Sequence, residues 1–171
     1  NDVGITMSAT PGLVGQDAPT FGLHLNHLDH KRIQVRRDVG QPLFIAAVQQ
    51  PSPECWPRSI KVRSRIHYYL ADQAARQRDP DAVGVLLDED GSVTETSIAN
   101  LAIVRSQQIV SPPADRVLGG ITQAACQKLA SENSIPWINR PITKQDLAEA
   151  EEVLMMGTDG GIWFANAVDS Q

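Results

Sequence analysis

The chain has 171 residues, 42% of them hydrophobic and 20% charged, proportions ordinary for one globular domain. They exclude a disordered tail, a collagen-like rod and a coiled coil, and no apolar run approaches the roughly 18 residues of a membrane span. A formal charge of −5 and a pI near 5.3 argue against a surface devoted to nucleic acid, while leaving room for a local basic pocket that takes a small anion.

Taken in chain order, the first third is rich in turn formers and β-branched residues. Val3 to Met7 reads as a strand, Phe21 to Leu25 as a second, and Leu43 to Val48 as a third strand or a short helix. Gln49 to Pro57 is a connector punctuated by prolines, each of which pushes its predecessor out of helical geometry. From Lys61 the period changes: Ile66, Tyr69, Leu70, Gln73 and Ala74 fall near one face, predicting a helix that begins near Lys61 and runs to about Arg78. Ala82 to Leu87 is a near-continuous apolar run, as in a buried strand. Asp88–Gly91 makes a hairpin turn, and Val93 to Thr96 returns from it. Leu101 to Val104 and Ile109–Val110 form a second hairpin that Pro112–Pro113 ends. A helix follows from Gln123 to Glu132. Thr143 and Asp146 form a capping-box pattern that opens a short helix through Glu151. Val153 to Met156 and Ile162 to Val168 are the last strands, and the fold class is α+β with several antiparallel hairpins.

Two cysteines, Cys55 and Cys126, form no CxxC pair and are too few for a disulfide framework. They point to a reducing compartment, and the expected setting is the cytoplasm. The start lacks the shape of a signal peptide. It also lacks a methionine, and the sequence closes after Ala165–Asp169 without a terminal helix or polar tail, so both ends read as cut.

Four features carry possible chemistry. Lys61 stands alone after a rigid connector, although most lysines are solvated surface charges. Glu95 lies on the return arm of an apolar hairpin; it either faces water or, if buried, needs a cationic partner. Gly119-Gly120-Ile121-Thr122 precedes a helix, so its amides and the Thr122 hydroxyl suit an anion at the helix N-terminus, unless Thr122 is a plain cap. Gly157–Thr158 is another small-plus-hydroxyl pair at a strand end. His24, His27 and His30 stand at steps of three but lack the carboxylate or cysteine of a zinc spacing. They read as exposed imidazoles on a loop or strand, and no metal is assigned. Trp56, Trp137 and Trp163 are scattered, as core or interface residues are.

In order, these pieces are a lysine, then LLDEDGSVTETSIANLAIV, SPP, LGGIT with a helix, and ITKQDLAEAEEVLMMGT. That series resembles the class IV pyridoxal-phosphate aminotransferases, the fold type IV group that includes branched-chain and D-amino-acid aminotransferases and aminodeoxychorismate lyase. The likeness covers roughly the last 110 residues and is strongest from Leu86 to Asn100. It implies the large C-terminal domain of that fold. Residues 1–57 would be its N-terminal part, ending in the proline-rich connector, and 58–171 the cofactor-binding core. The family's smaller N-terminal domain would be missing and the C-terminus truncated.

Carried over by residue, the resemblance implies that Lys61 joins the cofactor aldehyde and that Glu95 faces the pyridine nitrogen. Ile121 and Thr122 would bind the phosphate, with Gly120 allowing close approach, and Thr158 after Gly157 would add a second phosphate contact. The activity implied is transfer of an amino group between an amino acid and a 2-oxo acid, with pyridoxal 5'-phosphate as electron sink, in a homodimer that engages neither nucleic acid nor membrane. Branched-chain members commonly carry a tyrosine five residues after the lysine. Here that position is Ile66, preceded by Arg65, a lysine-to-arginine spacing more like the lyase. A pyruvate-releasing lyase is therefore one alternative, and a non-catalytic homologue or inactive fragment is another.

Overall fold

The computed structural model describes residues 3–169. Strand β1 (Val3–Thr10) pairs antiparallel with β2 (Thr20–His27) in a hairpin of its own. Helix α1 (His30–Val39) leads into β3 (Gln41–Gln49), and α2 (Ile66–Arg76) follows the connector. Then come β4 (Val83–Leu87), β5 (Val93–Thr96), β6 (Asn100–Arg105) and β7 (Gln108–Ser111). Helix α3 (Ile121–Glu132), β8 (Trp137–Asn139), α4 (Lys144–Ala148), β9 (Glu152–Gly157) and β10 (Gly161–Val168) complete the order.

Eight strands form one sheet in the order β5-β4-β3-β10-β9-β6-β7-β8, and β5 also pairs with β6. That extra pairing, Glu95 opposite Asn100, turns the first six strands of the order into a ring. The sheet draws strands from both sides of residue 57. Most neighbours are antiparallel, but β3 runs parallel to both β4 and β10, and β7 to β8. Strand β4 shows why an apolar run was legible. Val83, Val85 and Leu87 enter the main core with Leu101, Ile103, Met155 and Trp163, while Leu86 on the opposite face packs with Ala46 and Ala71. Both faces are covered, so no polar alternation survives.

The structure corrects α2 twice. It starts at Ile66, not near Lys61, so Lys61 lies in the preceding loop. Its buried residues are His67, Ala71, Asp72 and Ala75, whereas Ile66, Tyr69 and Leu70 are exposed. The physical cause is close approach: a Cβ at Gly84 on β4 would overlap the Ala71 backbone, so only a small-residue face fits there. Asp72 adds to that rotation by accepting from the Gly84 amide at 3.1 Å.

Helix α1 was not anticipated. Only Arg36 of its ten residues is buried, so it has almost no apolar stripe to read, yet Asp29 caps it by accepting from the Arg32 amide at 3.0 Å. His30 therefore opens a helix, not a loop or strand, while His24 and His27 lie on β2; all are exposed. The three-residue β8 was also missed. Thr143 and Asp146 do form a capping box, but α4 ends at Ala148 because Glu151 turns away to donate its amide to the Val104 carbonyl.

Gly84→Ala should force α2 off the sheet, costing about 1–3 kcal/mol. That corresponds to a fall of several degrees in melting temperature, measurable by calorimetry. An unchanged melting temperature would contradict the packing described.

Candidate active site

The turn from β5 to β6 builds one wall of a cleft. Thr96 fixes it locally, its hydroxyl donating to the Ala99 carbonyl and accepting from the Ala99 amide, both at 3.0 Å. Helix α2 grips it from outside: the Ser97 hydroxyl donates to Asp72 at 2.7 Å, and the Arg65 guanidinium donates to the Ser97 carbonyl. Asn100 then spans the floor, donating through Nδ2 to Glu95 Oε2 at 3.2 Å and to the Leu118 carbonyl at 2.8 Å.

Glu95 is only 5% exposed. Its Oε1 accepts from the Tyr68 hydroxyl at 2.6 Å and from Gln50 Nε2 at 3.1 Å. Its Oε2 accepts from Asn100 and, at 3.1 Å, from the Leu118 amide. Those four donors match the roughly four acceptor sites of a carboxylate, and none carries a charge. It does not face water, and among the described residues no cationic side chain is bonded to it. Burial pushes its pKa above the usual carboxylate value, against the lowering effect of the bonds from Tyr68, Leu118 and Gln50 and of the charge on Arg65.

Opposite the turn, α3 begins at Ile121 with Gly120 as N-cap and no side-chain bond to its first amides. Thr122 lies inside the first turn, so it is not the cap. Uncapped amides at the positive end of the helix dipole suit an anion. The glycines also make close contacts within the protein. Gly120 has an ordinary extended backbone, φ −75° and ψ 130°. A Cβ there would overlap Asn100 Oδ1, and a Cβ at Gly157 would lie 2.7 Å from the Ile98 carbonyl. Both glycines thus seat the β5–β6 turn and the start of β6. Gly119 meets nothing within 4 Å.

The loop bearing Lys61 is anchored three residues earlier. Arg58 bridges to Asp88 at 2.8 Å and donates to the Arg116 carbonyl at 2.9 Å, tying the connector to the β4–β5 turn and to the segment before α3. Lys61, Glu95, Gly120, Ile121, Thr122, Gly157 and Thr158 all line one cleft of about 300 Å³, together with Arg65, Tyr68 and Asn100. Of the four lysines, Lys61 alone lines it. Gln50, Tyr68 and Asn100 are the participants that sequence reasoning missed. Nothing in their spacing marks them, because their role arises from the ring closure that brings α2, β3 and β6 to one carboxylate.

A closed ring of strands, a carboxylate at its seam, a cleft lysine and an open helix N-terminus define the fold type IV architecture. Its amino-transferase class IV model matches residues 1–168, and the chain belongs to that family. It is 29% identical over 123 residues to the branched-chain-amino-acid aminotransferase-like protein 2 of Arabidopsis thaliana, covering 72% of this chain and 22% of the relative. It is 27% identical over 118 residues to the D-alanine aminotransferase of Bacillus licheniformis, covering 68% and 41%. The branched-chain aminotransferase structure from Escherichia coli superposes with a TM-score of 0.84 at 24% identity, over 98% of this chain and 58% of that one. The T.th. branched-chain amino acid aminotransferase complexed with N-(5'-phosphopyridoxyl)-L-glutamate gives 0.71 at 27% identity, over 75% and 43%. The chain thus spans well under half the length of those two curated relatives.

Gly120→Ala should expel the Asn100 side chain and strip one donor from Glu95, costing about 1–3 kcal/mol in thermal or urea unfolding. Gly119→Ala should fall within about 0.5 kcal/mol of the parent. Equal effects at the two positions would contradict the role given to Asn100.

Proposed function

We propose that this chain carries the cofactor-binding part of an aminotransferase that moves an amino group between an amino acid and a 2-oxo acid, using pyridoxal 5'-phosphate. The observation that supports it most is the joint lining of one cleft by Lys61, Glu95 and the uncapped start of α3. The donor set fits the group: an amine for an aldehyde, free amides and hydroxyls for a phosphate, and a buried anion for a ring cation. When bound, the cofactor supplies an electron sink for the substrate's α-carbon.

The chain's own residues supply the rest. The first amides of α3 and the Thr122 hydroxyl would hold the phosphate, joined by Thr158 after Gly157. Glu95, anionic and free of any ion-paired cation, holds the proton on the ring nitrogen, because a negative neighbour favours the protonated form of a base. Lys61 Nζ is the amine that anchors the cofactor. The same Nζ, when free, would accept a proton from the substrate's α-carbon and return it.

We take the protein to act as a homodimer in the cytoplasm; Cys55 and Cys126 are both free, and no described helix is long and apolar enough to cross a membrane. A second reading, a pyruvate-releasing lyase, draws support from Arg65, which lines the cleft while Ile66 is exposed on α2.

Mixed with pyridoxal phosphate, the protein should turn yellow, and an amino acid should bleach that colour while a 2-oxo acid appears. Colour without bleaching, together with pyruvate release from aminodeoxychorismate, would select the lyase; no colour would remove both. Glu95→Gln should still bind the cofactor but turn over about 10²–10⁴-fold more slowly, as expected for loss of a positioned proton-holding group. A near-normal rate would take that role from Glu95.

A further inference from the structure

We propose that Tyr68 is a positioning residue that acts through Glu95, its hydroxyl keeping the buried carboxylate ionised and aimed into the cleft. The contact, at 2.6 Å, is the shortest of the four that Glu95 accepts. Its direction is fixed, because Gln50 Nε2 reaches both the Tyr68 oxygen, at 3.5 Å, and Glu95 Oε1, at 3.1 Å, leaving the phenol proton to go to Glu95. The ring has two close neighbours. The Arg65 guanidinium carbon lies 4.3 Å from its centroid, and the His67 ring centroid is 4.2 Å away. A cation over the ring makes the phenol a stronger donor.

Neutrality is what the chemistry requires. A lysine or arginine in the place of Tyr68 would satisfy Glu95 but cancel its charge, whereas a phenol stabilises the anion and leaves its full charge facing the cleft. The charged and titratable groups around Glu95 are Arg58, Lys61 and Arg65 from the connector, with His67 and Tyr68 from α2. From the residue after β3, from β6 and from the segment before α3 come only Gln50, Asn100 and the Leu118 amide. Burial raises the Glu95 pKa, and the Tyr68 bond is the first of the contributions that oppose it.

This inference rests on the cofactor-binding reading, and the test separates the two. In the protein without cofactor, the Glu95 carboxyl is titrated by carbon-13 NMR, assigned with Glu95→Gln, in the parent and in Tyr68→Phe. The phenylalanine keeps the stacked ring and removes only the hydroxyl. The Glu95 midpoint should rise by about one pH unit, since a lost bond to the ionised form favours protonation. The acidic limb of the kcat–pH profile should move upward in step. An unmoved midpoint in folded Tyr68→Phe would overturn the proposal, whatever happens to activity. Replacing tyrosine by 3-fluorotyrosine, a more acidic donor, should move the midpoint downward; Tyr69, the other tyrosine, is exposed. Failure of the fluorinated protein to shift would overturn it equally. If the midpoints move as stated but the parent binds no cofactor, the functional reading falls and the role of Tyr68 at Glu95 stands.

Discussion

A carboxylate buried at the seam of the strand ring, hydrogen-bonded only by uncharged donors, is the constraint around which this structure is arranged. An unpaired buried charge costs several kcal/mol, so each of its acceptor sites must be filled. Filling them recruits Tyr68 from α2, Gln50 from just past β3, Asn100 from β6 and the Leu118 amide from the approach to α3. Those demands propagate outward. Asn100 can reach Glu95 only because Gly120 has no side chain, and Tyr68 can do so only because α2 presents its small-residue face to Gly84. The seam thereby places a negative charge, an open helix N-terminus and a single lysine around one space.

The two ends of the cleft differ in kind. At the α3 end, amides without a side-chain cap suit a negative group, and the backbone supplies the attraction. At the Glu95 end the carboxylate is hydrogen-bonded by neutral donors only and in no direct ion pair, so its own charge favours a protonated neighbour. An elongated ligand with an anionic tail and a protonated ring satisfies both ends. Family membership and the shared fold agree with that division, while relatives named for branched-chain amino acids and for D-alanine leave the choice of substrate to the rest of the pocket.

Much of this was legible in the sequence, and the failures share a cause. Strands with a clean apolar signature, such as β4 and β9, were placed within a residue or two, and the Thr143–Asp146 cap was read correctly from spacing alone. The cleft residues were identified as isolated weak signals that only a common ligand unites. Helix α1 escaped because it buries one arginine instead of an apolar stripe. The face of α2 was inverted because Ala71 and Ala75 carry the packing, and hydrophobicity counted by size favours Ile66, Tyr69 and Leu70. Among the described residues no cationic side chain bonds Glu95, and the set of neutral donors from four segments that does so is invisible to any local pattern.

The most direct measurement is borohydride reduction of the protein after incubation with pyridoxal phosphate, followed by mass mapping of its peptides. The arrangement described predicts the pyridoxyl mass on Lys61 and not on Lys31, Lys128 or Lys144, none of which lines the cleft. A mass confined to any of those three, or no added mass at all, would contradict it.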